Sequence, residues 1–341
     1  MYYYGTNMNF KQAYNFVRIP ISDDATKNPF HGAEVVARIP SRWKMNIGYA
    51  HSFGVTDNYF VHIEQPLTLS LPRIMTLNIR GAPISDSFVC HPNEPMSFIL
   101  VSKKTGEKIP ITYLAPHGFV FHFINCYEEA DHVICDICLY NSSEIIRSAY
   151  IEQIINSINS DNSSQLPEAN YARFVLPLSL AGAKPGENLV KLPDSCATAV
   201  LREGTTDTLD VTREKMFDDS YSFDLPRIND DYAGIKFRYT YGTTIFASDR
   251  RLLKLDAVER SVAEWTCEST HQPGEPVFVP RPGSTQEDDG VVMCTILANT
   301  TDYSSYLVIL DAHSFKEIAR ASVPSDMKMS LTFHGFFSQR H

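Results

Sequence analysis

Tryptophan is nearly absent from this chain, with two residues in 341, and cations are outnumbered, 30 Lys and Arg against 40 Asp and Glu. The resulting net charge of −10 argues against a polyanion as the main partner, because a phosphate backbone rewards a basic face. Nucleic acid is therefore set aside. No apolar run approaches the roughly 20 residues of a membrane-spanning helix. The opening Met1-Tyr2-Tyr3-Tyr4-Gly5 has neither a basic n-region nor an apolar h-region, so no secretory signal is read there. The cysteines number seven, an odd count without the paired spacings of a disulfide framework. Reduced thiols and a cytoplasmic setting are the expectation, which leaves the Asn-x-Ser/Thr sequences at Asn141, Asn162 and Asn299 incidental. Nothing resembles a Ser-His-Asp or Cys-His nucleophile arrangement.

What the chain does contain is aromatic and β-branched residues in short alternating runs. Phenylalanine and tyrosine number 20 and 17. Met1–Pro20, Glu34–Pro40, Asn58–Glu64, Ser97–Ser102 and Val133–Leu139 read as strands, with Lys104-Thr105-Gly106-Glu107 as a hairpin turn. Further strands are expected at Tyr171–Leu178, Cys196–Leu201, Tyr221–Leu225, Phe237–Thr244, Arg251–Asp256, Glu264–Glu268, Tyr306–Asp311 and Ile318–Val323. Asp289-Gly290 is a hairpin signal. The acidic cluster Glu287-Asp288-Asp289 reads as a solvated turn rather than a cation site. One helix is expected over 143–159, from Ile145, Ile146, Tyr150, Ile154, Ile155 and Ile158 at helical spacing. A polar loop follows over 159–165. The length suits one large domain or two modest ones. Many short strands and little helix point to an all-β sandwich, barrel or propeller.

Three histidines sit in aromatic company beside small or turn-forming residues: Tyr49-Ala50-His51-Ser52-Phe53-Gly54, Phe121-His122-Phe123 and Phe333-His334-Gly335-Phe336-Phe337. Any one of them alone reads as a satisfied core residue. Together they suggest imidazoles meeting at one metal, and ligands so far apart in sequence favour a propeller, whose innermost strands converge on an axis. The Cys-x-x-Cys at Cys135 and Cys138 is a weaker signal. On an alternating strand those side chains face opposite sides, and no second pair with ligand spacing exists.

At these residues the sequence resembles the carotenoid cleavage oxygenase family, whose members include β-carotene oxygenases, insect carotenoid isomerooxygenases and the retinoid isomerohydrolase. The matching stretches are Tyr49–Gly54 with Thr56 and Asn58-Tyr59, Phe121–Glu128, and Glu275-Pro276-Val277-Phe278-Val279-Pro280-Arg281-Pro282. They continue through Glu287–Val292, Leu310-Asp311-Ala312 with Ala319-Arg320-Ala321, and Phe333-His334-Gly335.

The resemblance implies a single domain over 1–341, a seven-bladed β-propeller with Fe(II) on its axis, held by four histidines. Carried over, His51, His122 and His334 are three ligands, and Asp224 and Glu275 are outer carboxylates holding the imidazoles. Asp224 stands where the family usually has Glu, so a water or a backbone shift is expected in its contact. The family's first ligand lies before the part that Met1–Pro20 resembles, so an incomplete propeller lacking its N-terminal blades is expected. The implied reaction is oxidative cleavage of a carotenoid double bond by dioxygen to retinal-like aldehydes, with polyene isomerisation as a further outcome. Phe53, Phe121, Tyr140 and Tyr241 are candidates for the substrate tunnel or for plain core. Leu67–Leu77, apolar beside Arg73, corresponds to the family's membrane-contacting region and reads as a peripheral membrane patch. The rival function is a catalytically impaired propeller that binds apolar ligands or protein partners.

Overall fold

In the computed structural model the described residues are all but 9–10, 23, 25, 27, 149, 154–166, 245–249, 325–326, 328, 331–332 and 339–341. The chain divides into two compact units. The first holds residues 1–121, 130–133 and 174–213, and the second holds 122–129, 134–173 and 214–341.

The first unit opens with an antiparallel sheet of Tyr2–Asn7, Ala13–Arg18 and Glu34–Pro40. The single strand expected over Met1–Pro20 is thus a hairpin, and Tyr2–Asn7 is an edge of this sheet. A six-stranded sheet runs Thr198–Leu201, Thr208–Thr212, Thr112–Ala115, Met96–Ser102, Tyr59–Glu64, Gly54–Val55. Its one parallel pair joins Thr112–Ala115 to Thr208–Thr212. Phe16, Ala37, Ile39, Phe60, Ile99 and Val101 form a buried cluster with Tyr2, Tyr4 and Phe53 packed against it. A third sheet pairs Asn46–Gly48, Leu67–Ser70 and Phe88–Cys90.

Leu67–Leu77 is not a uniform patch. It begins as strand and turns into the helix Leu71–Arg80, which the strand-like alternation Leu67-Thr68-Leu69-Ser70 concealed. Pro72 lies in its first turn, where a missing N–H costs nothing, and Gly81 closes it in the left-handed region (φ 59°). Leu71 is buried, whereas Met75 and Ile79 are 78% and 86% exposed.

The second unit contains two four-stranded antiparallel meanders with strands in chain order. One is Asp224–Arg227, Tyr239–Thr243, Arg251–Asp256, Ser261–Thr266; the other is His271–Pro280, Gly290–Ala298, Tyr306–Asp311, Glu317–Ser322. Alternation drives their packing: Val292, Cys294 and Ile296 point with Val308 and Leu310 into a core that also holds Tyr241, Leu252 and Phe278. Most of a further sheet, ordered Phe119–Glu129, His132–Tyr140, Ala169–Pro177, Glu214–Lys215, also lies here. Among the described residues no sheet closes on itself.

Several expectations change. Of the helix read over 143–159, helical residues are present at Ile145–Ser148 and again over 151–153, while residues 149 and 154–159 lie outside the described residues, as does the polar loop after it. The hairpin signalled by Asp289-Gly290 is present, but its connection spans 281–289, with Asp289 at its end. Gly290 starts a strand opposite Pro280, and a Cβ on it would meet the Val279 carbonyl oxygen at 2.3 Å, so only glycine fits there. Nor is the acidic cluster simply solvated. Asp288 is 6% exposed and pairs with buried Lys254 at 2.7 Å, while Glu287 accepts the backbone N–H groups of Arg238 and Tyr239. These carboxylates pin the connection between strands.

Candidate metal centre

In the second unit two imidazoles from distant parts of the sequence face each other. His122 lies on the strand Phe119–Glu129, and His334 follows the last meander; their ring centroids are 5.3 Å apart with planes at 82°. Each ring is engaged at Nδ1 by a carboxylate. His122 Nδ1 is 2.6 Å from Asp224 Oδ1, and His334 Nδ1 is 3.0 Å from Glu275 Oε1. With its hydrogen donated from Nδ1, a neutral imidazole carries its lone pair at Nε2, the tautomer a metal needs.

The two carboxylates are themselves held. Asp224 is 1% exposed; Tyr140 donates to its Oδ2 at 2.5 Å and the Leu225 N–H to its Oδ1 at 2.8 Å. Burial and then the Asp224 charge push the Tyr140 hydroxyl and the Cys138 thiol well above their ordinary values, so both remain protonated donors beside the carboxylate. Glu275, 8% exposed, accepts the Gly335 N–H at 2.9 Å through Oε2 and lies 3.4 Å from Arg227 Nε. The Asp224 carboxylate meets the His122 ring directly, and the next residue, Leu225, adopts φ 47°. A pocket of about 210 Å³ beside His334 is lined by Val277, Met293, Leu307, Phe336 and Phe337.

In the first unit, His51 follows the strand Asn46–Gly48. Its Nδ1 is 3.0 Å from the Tyr49 hydroxyl, and its ring meets Phe121 edge-on at 5.2 Å. The segment is fastened to the start of the strand that continues to His122. Ser52 donates to the Phe121 carbonyl at 2.7 Å. Gln65 bridges the Tyr49 and Val120 carbonyls through Nε2 while its Oε1 accepts the Val120 N–H.

A family model described as retinal pigment epithelial membrane protein matches residues 1–339. The chain belongs to this family. Curated relatives of this chain include a mitochondrial carotenoid-cleaving dioxygenase from Mustela putorius furo, 33% identical over 95% of this chain and 61% of that protein. A β,β-carotene 15,15'-dioxygenase from Rattus norvegicus is 34% identical over 93% of this chain and 55% of that protein. The chain thus spans about three-fifths of the length of the curated relatives it matches. A cobalt-substituted apocarotenoid oxygenase of Synechocystis superposes with a TM-score of 0.72 at 22% identity, covering 99% of this chain and 60% of the other, and establishes a common fold.

The remaining sequence candidates are distributed differently. Phe121 is half-buried against Tyr49, His51 and Phe119. Phe53 packs with Tyr4, Phe16 and Phe60 in the first unit's core. Tyr241 is fully buried, stacked on Phe278 at 5.5 Å. Tyr140 grips Asp224. Cys135 lies 3.5 Å from Cys126, and burial pushes its thiol well above the ordinary value. Sequence reasoning missed Gln65, Tyr140 as a carboxylate holder, and Arg227. The available signal was a polar or basic residue inside an apolar strand run, as in Ile63-Glu64-Gln65-Pro66.

Proposed function

We propose that this chain acts in the oxidative cleavage of a carotenoid double bond at a non-haem Fe(II) centre, with His51, His122 and His334 each giving one ring nitrogen. One observation carries the reading: His122 and His334, 212 positions apart in sequence (334 − 122), lie ring to ring, each held at Nδ1 by a buried carboxylate. Such neutral nitrogen donors suit a ferrous ion, and the carboxylates behind them offset part of its charge while fixing ring orientation. The consecutive four-stranded meanders support the finer architecture, blades of a seven-bladed propeller within one carotenoid oxygenase domain.

When bound, the ion supplies the dioxygen chemistry by which a polyene double bond is split into two aldehydes. The protein's part is positioning and desolvation. His122 and His334 are locked in the metal-binding tautomer by Asp224 and Glu275, and Tyr140 prevents Asp224 from turning away. Phe121, packed edge-on against His51, gives a long apolar substrate a dry wall beside the site. No acid–base pair is required.

Access from a membrane surface is supported in the first unit. A groove of about 1070 Å³ is lined by Met8, Trp43, Met45, Leu71, Ile74 and Met75, with Lys11 and Lys44 beside it. Exposed Met75 and Ile79 with Arg73 and Arg80 make Leu71–Arg80 an amphipathic contact for an anionic leaflet. No helix among the described residues is long and apolar enough to cross a membrane.

The test is incubation of the iron-loaded chain with β-carotene in detergent, following carotenoid loss and aldehyde formation by chromatography, which also reports the geometry of each product. Iron-dependent aldehyde that disappears in His122→Ala supports the reading. Absence of both bound iron and product refutes it and leaves the non-catalytic binding role.

A further inference from the structure

The short strand Asp224–Arg227 serves both imidazoles, although the metal reading uses only its first residue. Asp224 holds His122. Arg227, three residues on, reaches the His334 segment. Its Nε is 3.4 Å from Glu275 Oε1, the oxygen that accepts His334 Nδ1, and its Nη2 donates to the Gly335 carbonyl. Gly335 in turn donates its N–H to Glu275 Oε2 at 2.9 Å. Guanidinium, carboxylate, imidazole and the Gly335 backbone therefore close a circuit in which both ends of one residue are gripped.

His334 needs such support more than His122 does. His122 sits in a strand with its side chain 13% exposed, whereas the His334 side chain is 55% exposed in a segment without strand or helix, and its neighbour Phe336 is 84% exposed. Glu275 alone fixes one nitrogen of the ring and one N–H of the backbone. A carboxylate with those two contacts can still pivot with the loop it holds. A planar guanidinium that donates to the facing carbonyl while its charge lies 3.4 Å from the carboxylate restricts that freedom, and a lysine's single ammonium cannot serve both. Arg227 is itself anchored, since its carbonyl accepts the Thr240 hydroxyl at 3.0 Å.

We propose that Arg227 is a positioning residue for the metal centre, holding His334 in its ligating pose through Glu275 and the Gly335 carbonyl. This rests on the reading of His334 as a metal ligand. Through Arg227 and Asp224, one strand sets the orientation of two ligands.

The test uses cobalt(II) as a spectroscopic probe on the full chain, comparing the unmodified protein with Arg227→Gln, Arg227→Lys and Glu275→Gln. Arg227→Gln is expected to weaken cobalt binding about 10-fold or more and to change the visible absorption of bound cobalt, as loss of the partners behind a ligand does. Arg227→Lys recovers part of the affinity by keeping a cation beside Glu275. If Arg227→Gln lowers only the unfolding midpoint while cobalt affinity and spectrum stay those of the unmodified chain, the residue is merely structural and the proposal falls. Should that variant not fold, Arg227→Lys decides: weaker cobalt binding supports the role, and unchanged affinity and spectrum overturn it. An unmodified chain that binds no cobalt defeats the metal reading itself, a result distinct from either.

Discussion

Removing the Asp224 carboxylate is the most informative single perturbation, because several donors converge on it, among them His122 Nδ1 at 2.6 Å, the Tyr140 hydroxyl at 2.5 Å and the Leu225 N–H at 2.8 Å. A hydrogen bond to a charged group contributes about 1.5–3 kcal/mol. Asp224→Ala takes the shared acceptor from two side chains in a site 1% exposed, so the metal-free chain should lose about 3–6 kcal/mol. That is a large fraction of the ~5–15 kcal/mol that holds a typical domain together. Asp224→Asn should cost less. Its amide oxygen can keep His122 and Leu225, and Tyr140 can rotate its hydroxyl to accept from the amide NH2. Both variants lose the charge behind His122, and cobalt or iron affinity should fall by roughly 10–100-fold. Urea unfolding gives the first quantity and metal titration the second. An Asp224→Ala chain within about 0.5 kcal/mol of the parent, as for an ordinary surface change, and with unaltered metal affinity would refute the reasoning.

Other outcomes follow from the same geometry. Arg173 grips fully buried Asp136 through two bonds of 2.8 and 2.9 Å, so Arg173→Met should destabilise the chain by about 3–5 kcal/mol, measured by the same urea titration. Burial depresses His62 to about 3, below its ordinary 6.5; the folded state resists protonation, so its contribution is intact above pH 6.5 and drains away as pH falls toward 3. Stability should decline there by about 1.4 kcal/mol per pH unit from this one group, and His62→Phe should flatten that part of the profile. Glu268, held down to about 2 first by the Tyr306 hydroxyl bond and also by Arg320, loses its contribution only lower, from pH 4.5 toward 2; Tyr306→Phe should shift that acid limb upward. Met75→Glu with Ile79→Glu should abolish flotation with anionic vesicles while leaving the unfolding free energy within about 0.5 kcal/mol of the parent.

Much of the strand framework was legible because alternation of β-branched and aromatic residues reports a half-buried sheet. Arg251–Asp256 and Tyr306–Asp311 have the same bounds in the sequence reading and in the fold. The family, too, was readable from ordered motifs around His51, His122 and His334. What sequence could not convey were contacts made across long separations. Tyr140 read as tunnel wall or plain core, and its bond to Asp224, 84 residues away, is made only by the fold. Asp288 looked like turn chemistry until the fold brought it to Lys254, whose ammonium also donates to the Ala312 carbonyl. The helix Leu71–Arg80 was hidden by its strand-like lead-in, although Pro72 was a fair starting signal. Arg227 carried only the weak mark of a basic residue between Pro226 and Ile228. Its meaning lies in Glu275 and Gly335, which only tertiary structure supplies.

The central claim is that His51, His122 and His334 bind one ferrous ion. Diffraction from iron-loaded crystals of this chain, recorded on either side of the iron absorption edge, tests it most directly. The account predicts a single anomalous peak within bonding distance of one nitrogen from each of the three rings, with Asp224 and Glu275 still on the Nδ1 atoms of His122 and His334. Iron bound elsewhere, coordinated directly by either carboxylate, or lacking His51 would contradict it.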